Sequence, residues 1–240
     1  MTMKRKLGIL IAGHIPEELS GRFGHYGVMF AGFLGSDNFD YDFYFVVDSR
    51  FPAGPGEADG WLITGSRHGV CEDRPWMCRL GEFVRAIRDA GKPLVGICFG
   101  HQLIAKALGG TVEKHALGWQ AGSSLYVGLG GLGNLTLLAW HQDQVLVPPS
   151  GARTIAANPS CAHAALSYGD WAISFQAHPE FSRSYFTALV EARRTLVGED
   201  VARRALAEAD NTSSSQVEKF ITDHFKHAWQ RQEARLTDVQ

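Results

Sequence analysis

The sequence predicts an α/β fold: an open, mostly parallel sheet with helices on both of its faces. Three observations carry that expectation. Short apolar runs of strand length recur at residues 7–12, 41–47, 60–64 and 93–97. Helix-period segments alternate with them at 22–34, 75–90 and 99–108. Glycine is abundant, 27 of 240 residues, with no collagen-like period, as befits a chain that turns often. Strands and helices alternating at this spacing imply parallel pairing with crossovers over both faces.

Taken in order, the run 7–12 follows a basic front but is short. It ends at His14, Pro16, Glu17 and Glu18 with no small-residue cleavage site, so it reads as an opening strand rather than a signal peptide. In 22–34, Phe23, Tyr26, Met29, Phe30 and Phe33 recur every three or four residues. Residues 41–47 are aromatic and β-branched, and a Pro- and Gly-rich loop at 51–59 leads into strand 60–64. Trp76, Leu80, Phe83, Val84 and Ile87 share one face of the helix 75–90, which Gly91 stops. Strand 93–97 runs into helix 99–108, closed by Gly109 and Gly110. Four shorter pieces follow, at 123–127, 135–140, 153–157 and 171–176, and are expected as antiparallel strands near one edge. From Ser182 onward the chain reads as helical, with 211–215 as the N-cap of the last helix. Residues 1–240 are expected to form one domain, with a helical C-terminal extension from about residue 195.

Composition narrows the function. Lys plus Arg total 23 against 25 Asp plus Glu, a formal charge of -2, which argues against nucleic acid or an anionic membrane face as partner. No segment is apolar over the ~18 residues a membrane span needs. Cys71, Cys78, Cys98 and Cys161 lack the spacing of a disulfide framework or a zinc site. A reducing, cytoplasmic location with a free thiol is expected, and no metal.

Three pieces carry chemistry. Gly96-Ile97-Cys98-Phe99-Gly100 stands where a buried strand becomes a helix. A thiol there sits on a sharp turn, relieved by flanking glycines, beside a helix N-terminus that favours thiolate. His178-Pro179-Glu180 follows the strand-like piece 171–176, so Glu180 can hold His178 in one tautomer while the other ring nitrogen faces Cys98. Ile63-Thr64-Gly65-Ser66 ends another strand, where a turn can aim backbone N–H groups at an oxyanion together with that of Phe99. Two rival signals are set aside. Gly128-Leu129-Gly130-Gly131-Leu132-Gly133 spells a dinucleotide fingerprint, but a strand follows it, so it reads as a glycine-rich hairpin. His101 lies one helical turn beyond Cys98, a poor position for a base.

These pieces, in this order, resemble the class I glutamine amidotransferases, which use a Cys-His-Glu triad. The resemblance rests on Gly96-Ile97-Cys98-Phe99-Gly100-His101-Gln102, on His178-Pro179-Glu180-Phe181 and on Leu62-Ile63-Thr64-Gly65-Ser66. It implies a flavodoxin-like sheet bearing Cys98 as nucleophile on its elbow, His178 as base and acid, and Glu180 as its orienter. It also implies backbone oxyanion donors at Ser66 and Phe99, with Gly65 and Gln102 at the substrate. Tyr26 to Leu34, Arg74-Pro75-Trp76 and Gly118-Trp119 look like the stand-alone branch related to the glutaminase part of GMP synthetase, which includes plant γ-glutamyl peptidases. The implied activity is hydrolysis of the side-chain amide of glutamine or of a γ-glutamyl compound through a Cys98 thioester, without a cofactor. Its small-molecule substrate is the one partner required; an amidotransferase would add a synthetase partner receiving ammonia, a stand-alone peptidase would not. Three features depart from the family pattern: the Gly65-Ser66 turn, Trp140-His141-Gln142-Asp143 in place of the commoner Ser-His-x-Asp, and 240 residues with no room for a synthetase domain. From another class, redox sensors and chaperones of related architecture would use Cys98 without His178 and Glu180.

Overall fold

The computed structural model describes residues 4–116, 118–129 and 132–237. Successive side chains of the central strands alternate between the two faces of the sheet, and both sets are buried. In β1 (Arg5–Leu10) and β3 (Gly60–Ile63), Leu7, Ile9 and Leu62 point to one side. There they meet Phe30 and Leu34 of α2 (Tyr26–Leu34) and Ile221 and Phe225 of α8 (Ser214–Thr237). Leu10, Trp61 and Ile63 point to the other side. They pack on Leu80 and Val84 of α3 (Pro75–Asp89) and on Phe99 and Ile104 of α4 (Phe99–Ala107). Both faces are dry, which is why these strands read as unbroken apolar runs.

Among the described residues the main sheet has nine strands in the order β2-β1-β3-β4-β11-β10-β9-β6-β7. Parallel pairing joins β2 (Phe39–Tyr44), β1, β3, β4 (Leu94–Ile97) and β11 (Ala172–Phe175). Antiparallel pairing continues through β10 (Cys161–Tyr168), β9 (Arg153–Asn158), β6 (Gln120–Gly128) and β7 (Leu135–His141). A separate ribbon pairs β5 (Thr111–Lys114) with β8 (Asp143–Val147). The expected α/β sheet with helices on both faces is borne out.

Several local readings are corrected. The segment 22–34 is two helices, α1 (Glu17–Phe23) and α2, because Gly24 turns to φ 72° and its N–H caps Ser20. The piece 171–176 holds β11, not an edge strand but the fifth parallel strand, hydrogen-bonded to β4 and buried along its whole length. β5, β8 and β10 were not anticipated, since their patterns are short or interrupted by polar residues. The hairpin reading of 128–133 agrees with the antiparallel pairing of Tyr126 with Leu135, while Gly130 and Gly131 lie outside the described residues. After α5 (Arg183–Ala192), α6 (Arg194–Val197) and α7 (Glu199–Ala207), α8 lies across the sheet and buries Val217, Ile221, Phe225 and Trp229.

Candidate active site

β4 ends at Ile97 and α4 begins at Phe99, so Cys98 alone makes the turn. It does so at φ 52° and ψ -99°, a sparsely populated conformation for a side-chain-bearing residue. Among the described residues only Ser49 and Asp73 share a positive φ without being glycine. The glycines on either side are sterically required. A Cβ on Gly96 would lie 2.6 Å from Ile104 Cδ1 and 2.7 Å from the carbonyl of Gly100. One on Gly100 would strike the backbone carbonyl of Ile63, at the end of β3.

Because β11 runs parallel beside β4, with Phe175 opposite Ile97, the chain leaving β11 emerges next to Cys98. Cys98 N–H donates to Phe175 O at 2.8 Å. Three residues beyond Phe175, His178 Nδ1 bonds Glu180 Oε1 at 2.8 Å, and both side chains are buried. Phe181 lies flat on the imidazole, centroids 4.0 Å apart and planes within 8°. Cys98 and His178 converge at Gly65, where a Cβ would sit 2.9 Å from His178 Cε1 and 3.8 Å from Cys98 Cβ. Burial by itself would pull the His178 pKa down. The negative charges of Glu180 and Cys98 outweigh it and push the imidazole up to about 10, so it is cationic at neutral pH. Nε2 is buried and makes no hydrogen bond of ordinary geometry, and the neighbouring Cys98 sulfur adds to the upward pull on the ring.

The remaining expected residues line the same space. Ser66 follows Gly65 just beyond β3, and the Phe99 N–H belongs to the first turn of α4, where backbone donors have no partner within the helix. Gln102 is buried in the wall, with Nε2 donating to Asp143 O at 2.8 Å and to Gln176 Oε1 at 3.1 Å. His101 faces away, its Nδ1 on Ser174 Oγ at 2.7 Å, and burial depresses its pKa to about 3. It is neutral and unsuited to acid catalysis. The cavity over Cys98 measures about 810 Å³ and extends past Trp119 and Trp140 toward Arg193 and Leu196. No group of His, Cys, Asp and Glu among the described residues is arranged to hold a metal.

Residues that sequence reasoning missed complete the setting. Gln176 Nε2 donates to Cys98 Sγ at 3.6 Å, and Trp140 O lies 3.8 Å from the sulfur, where it accepts the S–H whenever the thiol is neutral. A large polar side chain directly after the buried strand β11 was the available signal for Gln176. Asn211 had none, because it acts only through tertiary contact. Its Nδ2 donates to the carbonyls of His178, Pro179 and Phe181 at 3.0–3.1 Å, and its Oδ1 accepts from Leu138 N. Ser214 Oγ adds a bond to Pro179 O at 2.7 Å. The stretch read as a helix cap also clamps the His178–Glu180 turn. The Ser213 hydroxyl accepts from Thr136 N, and its backbone oxygen accepts from Val217 N at the start of α8.

Fold and site together define an α/β protein with a Cys-His-Glu constellation at the carboxyl edge of its parallel strands. The family model for glutamine amidotransferase class-I matches residues 67–193, slightly more than half of the chain, and the chain belongs to that family. It is 29% identical to Gamma-glutamyl peptidase 4 of Arabidopsis thaliana, over 96% of this chain and 94% of that one. It is 36% identical to the glutamine-hydrolyzing GMP synthase of Aeropyrum pernix, over 54% of this chain and 25% of that one. The fold is also that of a crystal structure of a glutamine amidotransferase from Thermotoga maritima: TM-score 0.69, 20% identity, covering 96% of this chain and 98% of the other.

Proposed function

We propose that the protein is a γ-glutamyl amide hydrolase working through a Cys98 thioester. The observation that carries the reading is the buried His178–Glu180 pair meeting Cys98 over Gly65 at the mouth of a large cavity. Cys98 thiolate attacks the δ-carbonyl carbon, and the N–H groups of Ser66 and Phe99 receive the oxyanion. His178, cationic because of Glu180 and Cys98, gives its Nε2 proton to the departing nitrogen as the C–N bond breaks. The neutral imidazole then takes a proton from water. Water oxygen bonds to the thioester carbon, the C–S bond breaks, and sulfur keeps the electron pair. Gly65 lets the oxyanion turn pack against the His178 ring beside Cys98, and Gln102 lines the cavity at the acyl end.

Cavity size favours a substrate larger than free glutamine. Drug-sized ligands fill clefts of roughly 300–1,000 Å³, and about 810 Å³ here leaves room beyond the glutamyl group for a peptide or conjugate on the amine side. The likeness to Gamma-glutamyl peptidase 4 supports the same choice. The likeness to GMP synthase motivates the second reading, an ammonia-donating subunit acting on glutamine. Incubating the isolated chain with glutamine and with γ-glutamyl peptides separates them. Turnover of the peptides, abolished in Cys98→Ala and accompanied by a γ-glutamyl adduct on Cys98 in intact-mass spectra, is expected. Activity persisting in Cys98→Ala would refute the mechanism, and turnover of glutamine alone would favour the second reading.

A further inference from the structure

Gln176 and Gln102 make a connected pair of amides whose orientation is fixed from outside. The backbone oxygen of Asp143 can only accept a hydrogen bond, so the Gln102 atom facing it at 2.8 Å is nitrogen. The second hydrogen of that nitrogen points at Gln176, 3.1 Å away, so the Gln176 atom there is oxygen. The other end of the Gln176 amide is then an N–H donor, and it points at Cys98 Sγ at 3.6 Å. Gln176 is fully buried and Gln102 nearly so, which excludes water as an alternative partner for the pair.

We propose that this two-amide relay is part of the reaction machinery: Gln176 is a catalytic donor to the nucleophile's sulfur, and Gln102 is the positioning residue that keeps its N–H turned toward it. The inference rests on the proposed use of Cys98 as nucleophile. A neutral thiol satisfies Trp140 O through its S–H. A thiolate loses that bond and needs a donor, and a hydrogen bond to a charged acceptor is about twice as strong as a neutral one. Gln176 supplies it, as a donor separate from His178. The same N–H serves the second half of the cycle, when the C–S bond breaks and sulfur leaves with the electron pair. Because both hydrogens of Gln102 Nε2 are already committed, the substrate role implied for Gln102 by family resemblance is left to its carbonyl oxygen.

The test uses the full chain and two readouts, one of them independent of any substrate. Gln176→Met removes the donor at similar volume, Gln176→Glu keeps an acceptor for Gln102 but has no N–H to give, and Gln102→Met frees Gln176 to turn. Alkylation of Cys98 by iodoacetamide at neutral pH, followed by intact mass, is expected to slow about tenfold in either Gln176 variant and by a smaller factor in Gln102→Met. The pH profile of alkylation should move to higher pH, with His178 and Glu180 unchanged. With a γ-glutamyl amide, kcat should fall while KM holds. An alkylation rate and profile unchanged in any one of these variants with wild-type circular dichroism overturns the relay. If Cys98 alkylates with the expected dependence but no γ-glutamyl amide is cleaved, the proposed function fails and the relay stands.

Discussion

Acidification should destabilise this protein through three histidines that it buries neutral. Burial holds His101 and His141 down to about 3 and His224 to about 4, reinforced by cationic His178 beside His141 and by Arg231 beside His224. In the unfolded chain each regains a pKa near 6.5 and takes up a proton that the native state refuses. Stability is therefore lost as pH falls below about 6.5. At about pH 5 the difference amounts to about 2 kcal/mol for each histidine, or about 6 kcal/mol together. His178 works in the opposite sense. Its folded pKa is raised, so its contribution is fully present below about 6.5 and is lost only as pH climbs toward about 10. Between about pH 7.5 and pH 5 it returns about 1 kcal/mol, leaving a net loss of about 5 kcal/mol. Total stabilities of about 5–15 kcal/mol make this a large fraction. Urea unfolding followed by tryptophan fluorescence at the two pH values measures it. His224→Gln, in α8 and remote from Cys98, should shrink the pH-dependent difference by about 2 kcal/mol. Equal stability at both pH values, or an undiminished difference in His224→Gln, would refute the reasoning.

Other consequences are as direct. Gly100→Ala should prevent a native elbow, because its Cβ meets the Ile63 backbone, which cannot rotate away; circular dichroism and melting should show a loss beyond about 3 kcal/mol. Gly65→Ala presses instead on the His178 ring edge, so melting should barely change while kcat drops at least about tenfold. Glu180→Gln removes the charge that holds His178 up, so the alkaline limb of the pH–rate profile should move to lower pH; an unmoved limb would exclude Glu180 as the cause. Asn211→Ala frees three carbonyls of the His178 turn and should cost about 1–3 kcal/mol in denaturant unfolding, together with a fall in kcat.

The sequence by itself determined the local part of this protein. Short apolar runs alternating with helix-period segments specified the sheet and the helices on its two faces, since burying a strand on both faces leaves an unbroken apolar run that can be read directly. The elbow was legible at Gly96-Ile97-Cys98-Phe99-Gly100, because a one-residue strand-to-helix turn admits few side chains around it. His178 and Glu180 were legible as a pair because two residues of spacing suffice for their hydrogen bond. Tertiary structure decided everything that depends on which strand lies beside which. Reading 171–176 as an edge piece offered no strand pairing to bring His178 to Cys98; placing β11 parallel against β4 supplies the physical reason for their approach. Only the packed chain could put the Gln176 amide on the sulfur and turn 211–214 into a clamp on the triad turn. Hydrogen bonds between residues 74 or 33 positions apart leave no period and no motif in the chain; they exist once the sheet has brought the two segments together.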